Sequence, residues 1–308
     1  LDRLALLKAM MLIRAFETAL AARRDRGFQL FSSGQEATSV GVCAALDPGD
    51  QLLASGRSIA PALARGVDPG RVMAEVLGKS AGPNRGKGGR GHMASPDDGF
   101  FGAHAVVAGN IGIAAGVALA EQLKGEGRVV ACIFGDGACG AGILHETLNI
   151  AALWRLPLLF VCDNNELSIA TPRTAALAPK TLADLAAPFG IPAATVDGMD
   201  VLAVRDQAAA FVERARAGGG PAFLECLSAR FFSHSTATRE TRSAAEMARL
   251  RERCPIRRLA ATLVAHGEFD AAGADALERE AEGRAAEALA FADASPYPDP
   301  AEALADVG

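Results

Sequence analysis

Two stretches decide how this chain folds: VVACIFGDGACG at residues 129–140 and LLFVCDNN at residues 158–165. Each opens on an uninterrupted apolar run, the pattern of a strand covered on both faces of a parallel sheet. Between them AGILHETLNIAALWRL (141–156) repeats its apolar residues at helical spacing. Strand 129–134, this helix and strand 158–162 therefore form a β-α-β unit, which requires a parallel sheet and a crossover connection. The turn after the first strand carries Gly135, Gly137 and Gly140, the G-x-G-x-x-G spacing of a dinucleotide-binding loop.

Two features contradict that reading. In a dinucleotide loop the residue between the first two glycines sits where phosphates approach the helix N-terminus. Here it is Asp136. Two like charges about 4 Å apart repel by roughly 4 kcal/mol at an effective dielectric of about 20, so a carboxylate there needs a cation between itself and the phosphates. Mg²⁺ takes about six oxygen ligands at about 2.1 Å, one or two from carboxylates and the others from phosphates, neutral oxygens and water. Asp136 supplies a charged oxygen. Asn165, at the carboxyl end of the next strand, supplies a neutral one, and ligands of parallel sheets bind at that edge.

Composition narrows the remaining possibilities. The chain has 308 residues, half of them hydrophobic and 22% charged, enough for one large α/β domain with a sizeable core. A net charge of -5 argues against a general nucleic-acid binder. Cys43, Cys132, Cys139, Cys162, Cys226 and Cys254 are scattered without a CxxC pair, as reduced core thiols of a cytoplasmic protein are. No run of about 20 apolar residues is present to span a membrane, so a soluble protein is expected. The chain opens on Leu1 rather than Met, which suggests a trimmed start.

Along the chain, helices are expected over 2–25, 34–46 and 68–79, the last with Asp68 as N-cap and Pro69 in its first position. Residues 80–102, rich in glycine and charge, read as loop, and 109–125 as a small-residue helix. Strands are expected in ATVDGMD (194–200) and AFLECLS (222–228), around a helix over 201–217. Residues 229–258 hold eight Arg against three Glu, either an anion-binding surface or a solvated face. A long helical region and a surface tail, SPYPDP (295–300), close the chain. The whole reads as a single domain over 1–308, with an N-terminal helical arm (1–27) and a C-terminal helical region and tail (244–308). RGKGGRG (85–91) fails the P-loop pattern, because Gly88 follows Lys87 and Ala81 stands where the first glycine belongs.

The pair GDG and NN, 29 residues apart from Asp136 to Asn165, resembles the thiamine-diphosphate motif. RGFQLFSSGQEATSVGV (26–42), GKGGRGHM (86–93), FFGAHAVVAGNIGIAAGVALA (100–120), VDGMD (196–200), RFFSHS (230–235) and SPYPDP follow in the order found in the alpha chain of two-chain 2-oxoacid dehydrogenases. These are the decarboxylating components acting on pyruvate, branched-chain 2-oxoacids or acetoin. The resemblance implies an α/β thiamine-diphosphate-binding fold, a central mostly parallel sheet with helices on both faces. It implies Mg²⁺ held by the side chains of Asp136 and Asn165 and the backbone carbonyl of Leu167, with Asn164 holding the turn. Gly135, Gly137 and Ala138 would cradle the diphosphate, Gly137 and Ala138 through N–H groups, and Arg57 and His234 would bind it. His234 would also be catalytic, and Val107 would hold the cofactor bent. His92 and His104 receive no role.

The same resemblance implies a beta subunit that completes the active site in an alpha-2-beta-2 heterotetramer, a 2-oxoacid substrate, and acyl transfer to the lipoyl group of an acyltransferase. Four departures stand out. Leu30 replaces a His, Gly56-Arg57-Ser58-Ile59-Ala60 lacks a Tyr and a His, HSTAT (234–238) lacks an Asp, and Thr241-Arg242 lacks a Tyr. Three readings follow: a standard decarboxylating alpha chain, a divergent acyl or acyloin transferase subunit with a non-lipoyl acceptor, and a non-catalytic scaffold or regulatory subunit.

Overall fold

The computed structural model describes residues 2–25 and 27–305; Leu1, Arg26 and residues 306–308 of the expected arm and tail lie outside the described residues. The sheet has six strands, all parallel: β1 (Gln51–Ala54), β2 (Phe100–Ala103), β3 (Val130–Gly135), β4 (Leu158–Asn164), β7 (Ala193–Asp197) and β8 (Ala222–Leu227), in the order β2-β1-β3-β4-β8-β7. A separate antiparallel hairpin pairs β5 (Leu167–Ser168) with β6 (Thr171–Pro172), which leads into the short helix α7 (Arg173–Ala176).

The two stretches that predicted the β-α-β unit form its centre. Strands β3 and β4 pair from Val130↔Leu158 to Gly135↔Asp163, and helix α6 (Gly142–Trp154) joins them. Every residue of β4 is buried, as expected of a central parallel strand. The two-residue period then divides the core. Ala131, Ile133, Leu159 and Val161 pack with α1 (Arg3–Ala22), α2 (Glu36–Cys43) and α8 (Val201–Arg214). Val130, Cys132, Phe134 and Phe160 pack on the other face with α5 (Gly109–Lys124) and α6. There Phe223 lies stacked on Phe160, ring centres 6.4 Å apart, and edge-on to Phe134 at 6.1 Å. Each such ring contributes about 2–3 kcal/mol on burial.

Caps fix the outer helices. The Asp2 carboxylate accepts from the Ala5 N–H at 3.0 Å at the start of α1. Asp68 accepts from Arg71 at 2.9 Å ahead of α4 (Pro69–Val76), with Pro69 at the position expected. Ser243 and Glu246 form a capping box on α9 (Ala244–Glu252), followed by α10 (Pro255–Ala265) and α11 (Ala271–Ala294). The tail lies on the surface, where Pro296 O accepts from the Ser80 N–H at 2.9 Å and Lys79 Nζ sits 3.8 Å from the Tyr297 ring centre.

Several elements depart from the expectation. Strands β1 and β2 and helix α3 (Ile59–Arg65) were not foreseen, and β2 ends a stretch read as loop. Both strands are only four residues long, and β2 alternates a buried Phe100 with an exposed Phe101, too short for periodicity to separate it from a turn. The helix expected over 201–217 ends at Arg214, where a wider turn runs to Gly219 and Gly218 takes φ 76°. The arginine-rich segment divides as well. Arg258 is paired with Asp197 and Asp200, and Arg253 with Asp197, so that end is a solvated, ion-paired face. Among the described residues no helix is long and apolar enough to cross a membrane.

The strand order sets the position of the site. The chain leaves β1 outward to β2, then returns with β3 on the other side of β1. This is a topological switch point, and a crevice opens there at the carboxyl ends of the strands.

Candidate active site

That crevice is a cleft of about 290 Å³. Ser55, Gly56 and Arg57 enter it from the end of β1, Gly135–Ala138 from β3, Asn165 and Leu167 from beyond β4, and Arg230 and His234 from beyond β8. Val107 stands at its edge, in the turn before α5. All nine residues expected at a cofactor site, Arg57, Val107, Gly135, Asp136, Gly137, Ala138, Asn165, Leu167 and His234, line this one cleft.

Asp136 begins a short helical turn (Asp136–Gly140) and is 2% exposed. Its Oδ2 has no hydrogen-bond partner, and neither does the buried Oδ1 of Asn165. Burial pushes the Asp136 carboxyl up to about 6, with Glu166 adding to the rise and Arg230 and Arg173 opposing it. A buried carboxylate oxygen without a donor is costly, and together with the unpartnered amide oxygen of Asn165 in the same cleft it forms a hard-cation donor set. Among the described residues no three His, Cys, Asp or Glu side chains group to hold a metal. A cation here would therefore depend on neutral oxygens and on the ligand it accompanies. The donor set fits Mg²⁺.

The turn that presents Asn165 is tightly built. Asn164 donates from Nδ2 to Glu225 Oε1 at 2.7 Å and accepts from the Glu166 N–H at 3.0 Å, so it holds the turn, as expected. Glu166 and Ile169, on either side of the β5 strand, take φ 65° and 60°, left-handed conformations costing about 1–3 kcal/mol each that persist where surrounding structure imposes them. Gly137 lets this hairpin close over the GDG turn, since a Cβ there would lie 2.5 Å from Ser168 Oγ.

The opposite wall is cationic. Arg57 donates to Phe31 O at 2.5 Å and His234 O at 3.1 Å. Arg230, which is 3% exposed, donates to Phe232 O and Ile169 O, each at 3.0 Å. Among the described residues neither guanidinium has a carboxylate within ion-pair distance. Burial and then its cationic neighbour Arg230 pull Arg57 down to about 9, and it stays charged at neutral pH. His234 is driven to about 4 by burial and by Arg57, Arg230 and Arg90, so its imidazole is neutral at physiological pH. Val107 is 67% exposed and the next residue, Ala108, has φ 64°; the fold pushes an apolar side chain outward at the edge of the cleft.

Sequence reasoning left out three residues that the structure brings here. Arg230 lies in the RFFSHS segment that flagged His234. Arg90 lies in the glycine-rich segment set aside as a failed P-loop. Asp163, at the end of β4, accepts from Gln35 at 2.7 Å and Ser228 at 2.5 Å, and burial lifts its carboxyl to about 6. Only the strand-end position of Asp163 was a usable signal. Gln35 and Ser228 come from segments distant in sequence, which a single chain read in order does not connect. His92 and His104 contact one another edge-on at 5.4 Å and do not line the cleft.

Residues 4–301 match the profile of the dehydrogenase E1 component family. The chain is 39% identical over 283 residues to the acetoin:2,6-dichlorophenolindophenol oxidoreductase alpha subunit of Bacillus subtilis, covering 91% of this chain and 84% of that one. It is 36% identical over 313 residues to the pyruvate dehydrogenase E1 component alpha subunit of Rhizobium meliloti, covering 99% and 90%. The counterpart of the acetoin enzyme from Cupriavidus necator is 36% identical over 310 residues, covering 99% and 93%.

Proposed function

This chain belongs to the dehydrogenase E1 component family, and we propose that it is the alpha chain of a thiamine-diphosphate- and Mg²⁺-dependent 2-oxoacid dehydrogenase, acting with a beta subunit in an alpha-2-beta-2 heterotetramer. The observation that carries the site assignment is the convergence of the nine residues on one cleft, with Asp136 Oδ2 and Asn165 Oδ1 left without partners. The pyruvate dehydrogenase relatives favour the decarboxylating dehydrogenase over a divergent transferase or a scaffold.

In this proposal Asp136, Asn165 and the Leu167 carbonyl hold Mg²⁺. The backbone at Gly135–Ala138 receives the diphosphate, and Arg57 and Arg230 supply compensating positive charge. Val107 gives apolar support to the cofactor. The neutral imidazole of His234 offers a hydrogen bond without adding a charge. When bound, the cofactor supplies an electron sink for the bond that breaks as CO₂ leaves. The chain acts as one domain over its length, with the helical arm and tail packed on it. The six free, buried thiols suit a reducing compartment, and we place the protein in the cytoplasm. The acyl acceptor is taken to be the lipoyl group of a partner acyltransferase.

The test is CO₂ release by the chain co-purified with its beta subunit, given thiamine diphosphate, Mg²⁺ and a panel of 2-oxoacids, with and without a lipoyl domain whose mass is followed. Release coupled to lipoyl acylation is the expected result. Release without acylation would refute the lipoyl acceptor, and cofactor binding with no release from any 2-oxoacid would refute the decarboxylase.

A further inference from the structure

Arg90 is the one cleft guanidinium that the proposed cofactor site leaves without a task. It reaches across from the glycine-rich segment, donating from Nε to Phe28 O at 3.0 Å and from NH1 to Gly56 O at 2.8 Å. It stacks 4.7 Å from the centre of the Phe28 ring, and Ser58 Oγ donates to its carbonyl. Phe28 is half exposed, which places the group at the mouth. A guanidinium has five N–H donors, and two are used here. Among the described residues no carboxylate lies within ion-pair distance of Arg90. The carbonyl that Arg90 reaches belongs to the glycine that stands where the family has a Tyr. A Cβ at Gly56 would fall 3.0 Å from Leu30 Cδ1 and in ordinary contact, at 3.8 Å, with Arg90 NH1, so residue 56 stands between Leu30 and the guanidinium. Two of the departures from the family pattern, Leu30 and Gly56, thus line the same cleft as this guanidinium, and Gly56 bonds it.

A clasp between two loops needs only donors, and a neutral amide would serve. A partly buried guanidinium with donors to spare and no counter-ion among the described residues is instead a ready receptor for an anion. The leaving carboxylate of a 2-oxoacid is a poor choice. A fixed cation on it would favour the charged ground state over a transition state in which that charge is being lost. We propose that Arg90 recognises an anionic group that persists through the reaction: a second carboxylate at the far end of the 2-oxoacid donor, or one carried by a small acyl acceptor. Arg90 is then a specificity-determining residue. This deepens the functional reading above and rests on it.

The test uses the alpha–beta complex loaded with thiamine diphosphate and Mg²⁺, as wild type, Arg90→Gln and Arg90→Lys. One arm compares 2-oxoglutarate with 2-oxovalerate as donors, with 2,6-dichlorophenolindophenol as oxidant. The other compares glyoxylate with acetaldehyde as acceptors for one donor. A third measures glutarate binding by calorimetry, which needs no turnover. A charge-assisted hydrogen bond predicts that Arg90→Gln reduces the preference for the anionic member, in kcat/KM, by about 10- to 100-fold in one arm. Glutarate affinity should fall by a similar factor, and Arg90→Lys should retain part of both. Equal losses on charged and neutral members would make Arg90 a loop clasp and overturn the proposal. So would loss of thiamine diphosphate binding in Arg90→Gln, or absence of any Arg90-dependent preference or glutarate binding. A complex that binds cofactor but decarboxylates nothing would refute the functional reading, and the glutarate titration would still decide Arg90.

Discussion

Replacing Asp136 by Ala should stabilise the cofactor-free protein at neutral pH while abolishing its response to cofactor. The carboxyl is 2% exposed and moves from an ordinary 3.8 to about 6 on folding, chiefly through burial. Between those values the folded state holds the proton more tightly than the unfolded state, so stability falls as pH rises through the window. About two units at about 1.4 kcal/mol each give a cost of about 3 kcal/mol that is fully present above about pH 6. Comparing pH 4 with pH 7.5 captures about 2 kcal/mol of it, because the unfolded carboxyl is already partly ionised at pH 4. The assay is urea unfolding at both pH values. Wild type should lose about 2 kcal/mol more than Asp136→Ala between them, a difference of differences that cancels any packing change. Adding Mg²⁺ and thiamine diphosphate at about 100 times the dissociation constant should then stabilise wild type by about 2.7 kcal/mol and leave the variant unmoved. Identical pH slopes, or equal stabilisation of the variant by the ligands, would refute the reasoning.

Gly137→Ala drives a Cβ to within 2.5 Å of Ser168 Oγ and should cost about 1–3 kcal/mol in urea unfolding while weakening cofactor binding. Gly283→Ala, where the new atom meets nothing within 4 Å, should be neutral or stabilising by up to about 1 kcal/mol. Asn164→Ala removes the donor to buried Glu225 Oε1 and should destabilise the fold by about 1–3 kcal/mol; unchanged unfolding would remove its structural role. In the cofactor-free protein the His234 ring protons should titrate by NMR with a midpoint near pH 4, in keeping with the direction set by burial and three arginines. Diphosphate beside the ring should move that midpoint upward, because an anion favours the imidazolium. A free midpoint near 6.5 would show that the arginines do not act on it.

What the sequence made legible was periodic or covalently local. The apolar runs of β3 and β4 announced a parallel sheet because a strand covered on both faces has no polar face to interrupt it. Asp136 was readable because the chemistry of a carboxylate conflicts with a dinucleotide loop within three residues. Asp68 and Pro69 marked the start of α4 through local capping rules alone. Strand β1 was not legible: QLLA is four residues long, and only its pairing with β2 and β3 makes it a strand. Arg90 was missed for a related reason. Its role at the mouth of the cleft depends on Phe28 and Gly56, which lie 62 and 34 positions away in the chain.

The charges of the cleft are divided between its walls. Asp136 has a buried oxygen with no donor, while among the described residues Arg57 and Arg230 on the facing wall have no carboxylate within ion-pair distance. Asp136 and Arg230 are close enough for each to move the other's pKa, yet the fold holds Arg230 on the carbonyls of Ile169 and Phe232 instead of letting the two pair. Direct pairing would relieve both groups and make the empty protein more stable. It would also fill the site. A cation alone would satisfy Asp136 and worsen the arginine wall, and an anion alone would do the reverse. Only a ligand carrying both signs, a metal ion on a polyanion, satisfies the two walls together. Removing either partner should therefore weaken binding of the other far more than it weakens the fold, and Mg²⁺ and diphosphate should bind cooperatively. A calorimetric titration of each in the absence and presence of the other measures that coupling, and additive affinities would mean that the two walls act independently.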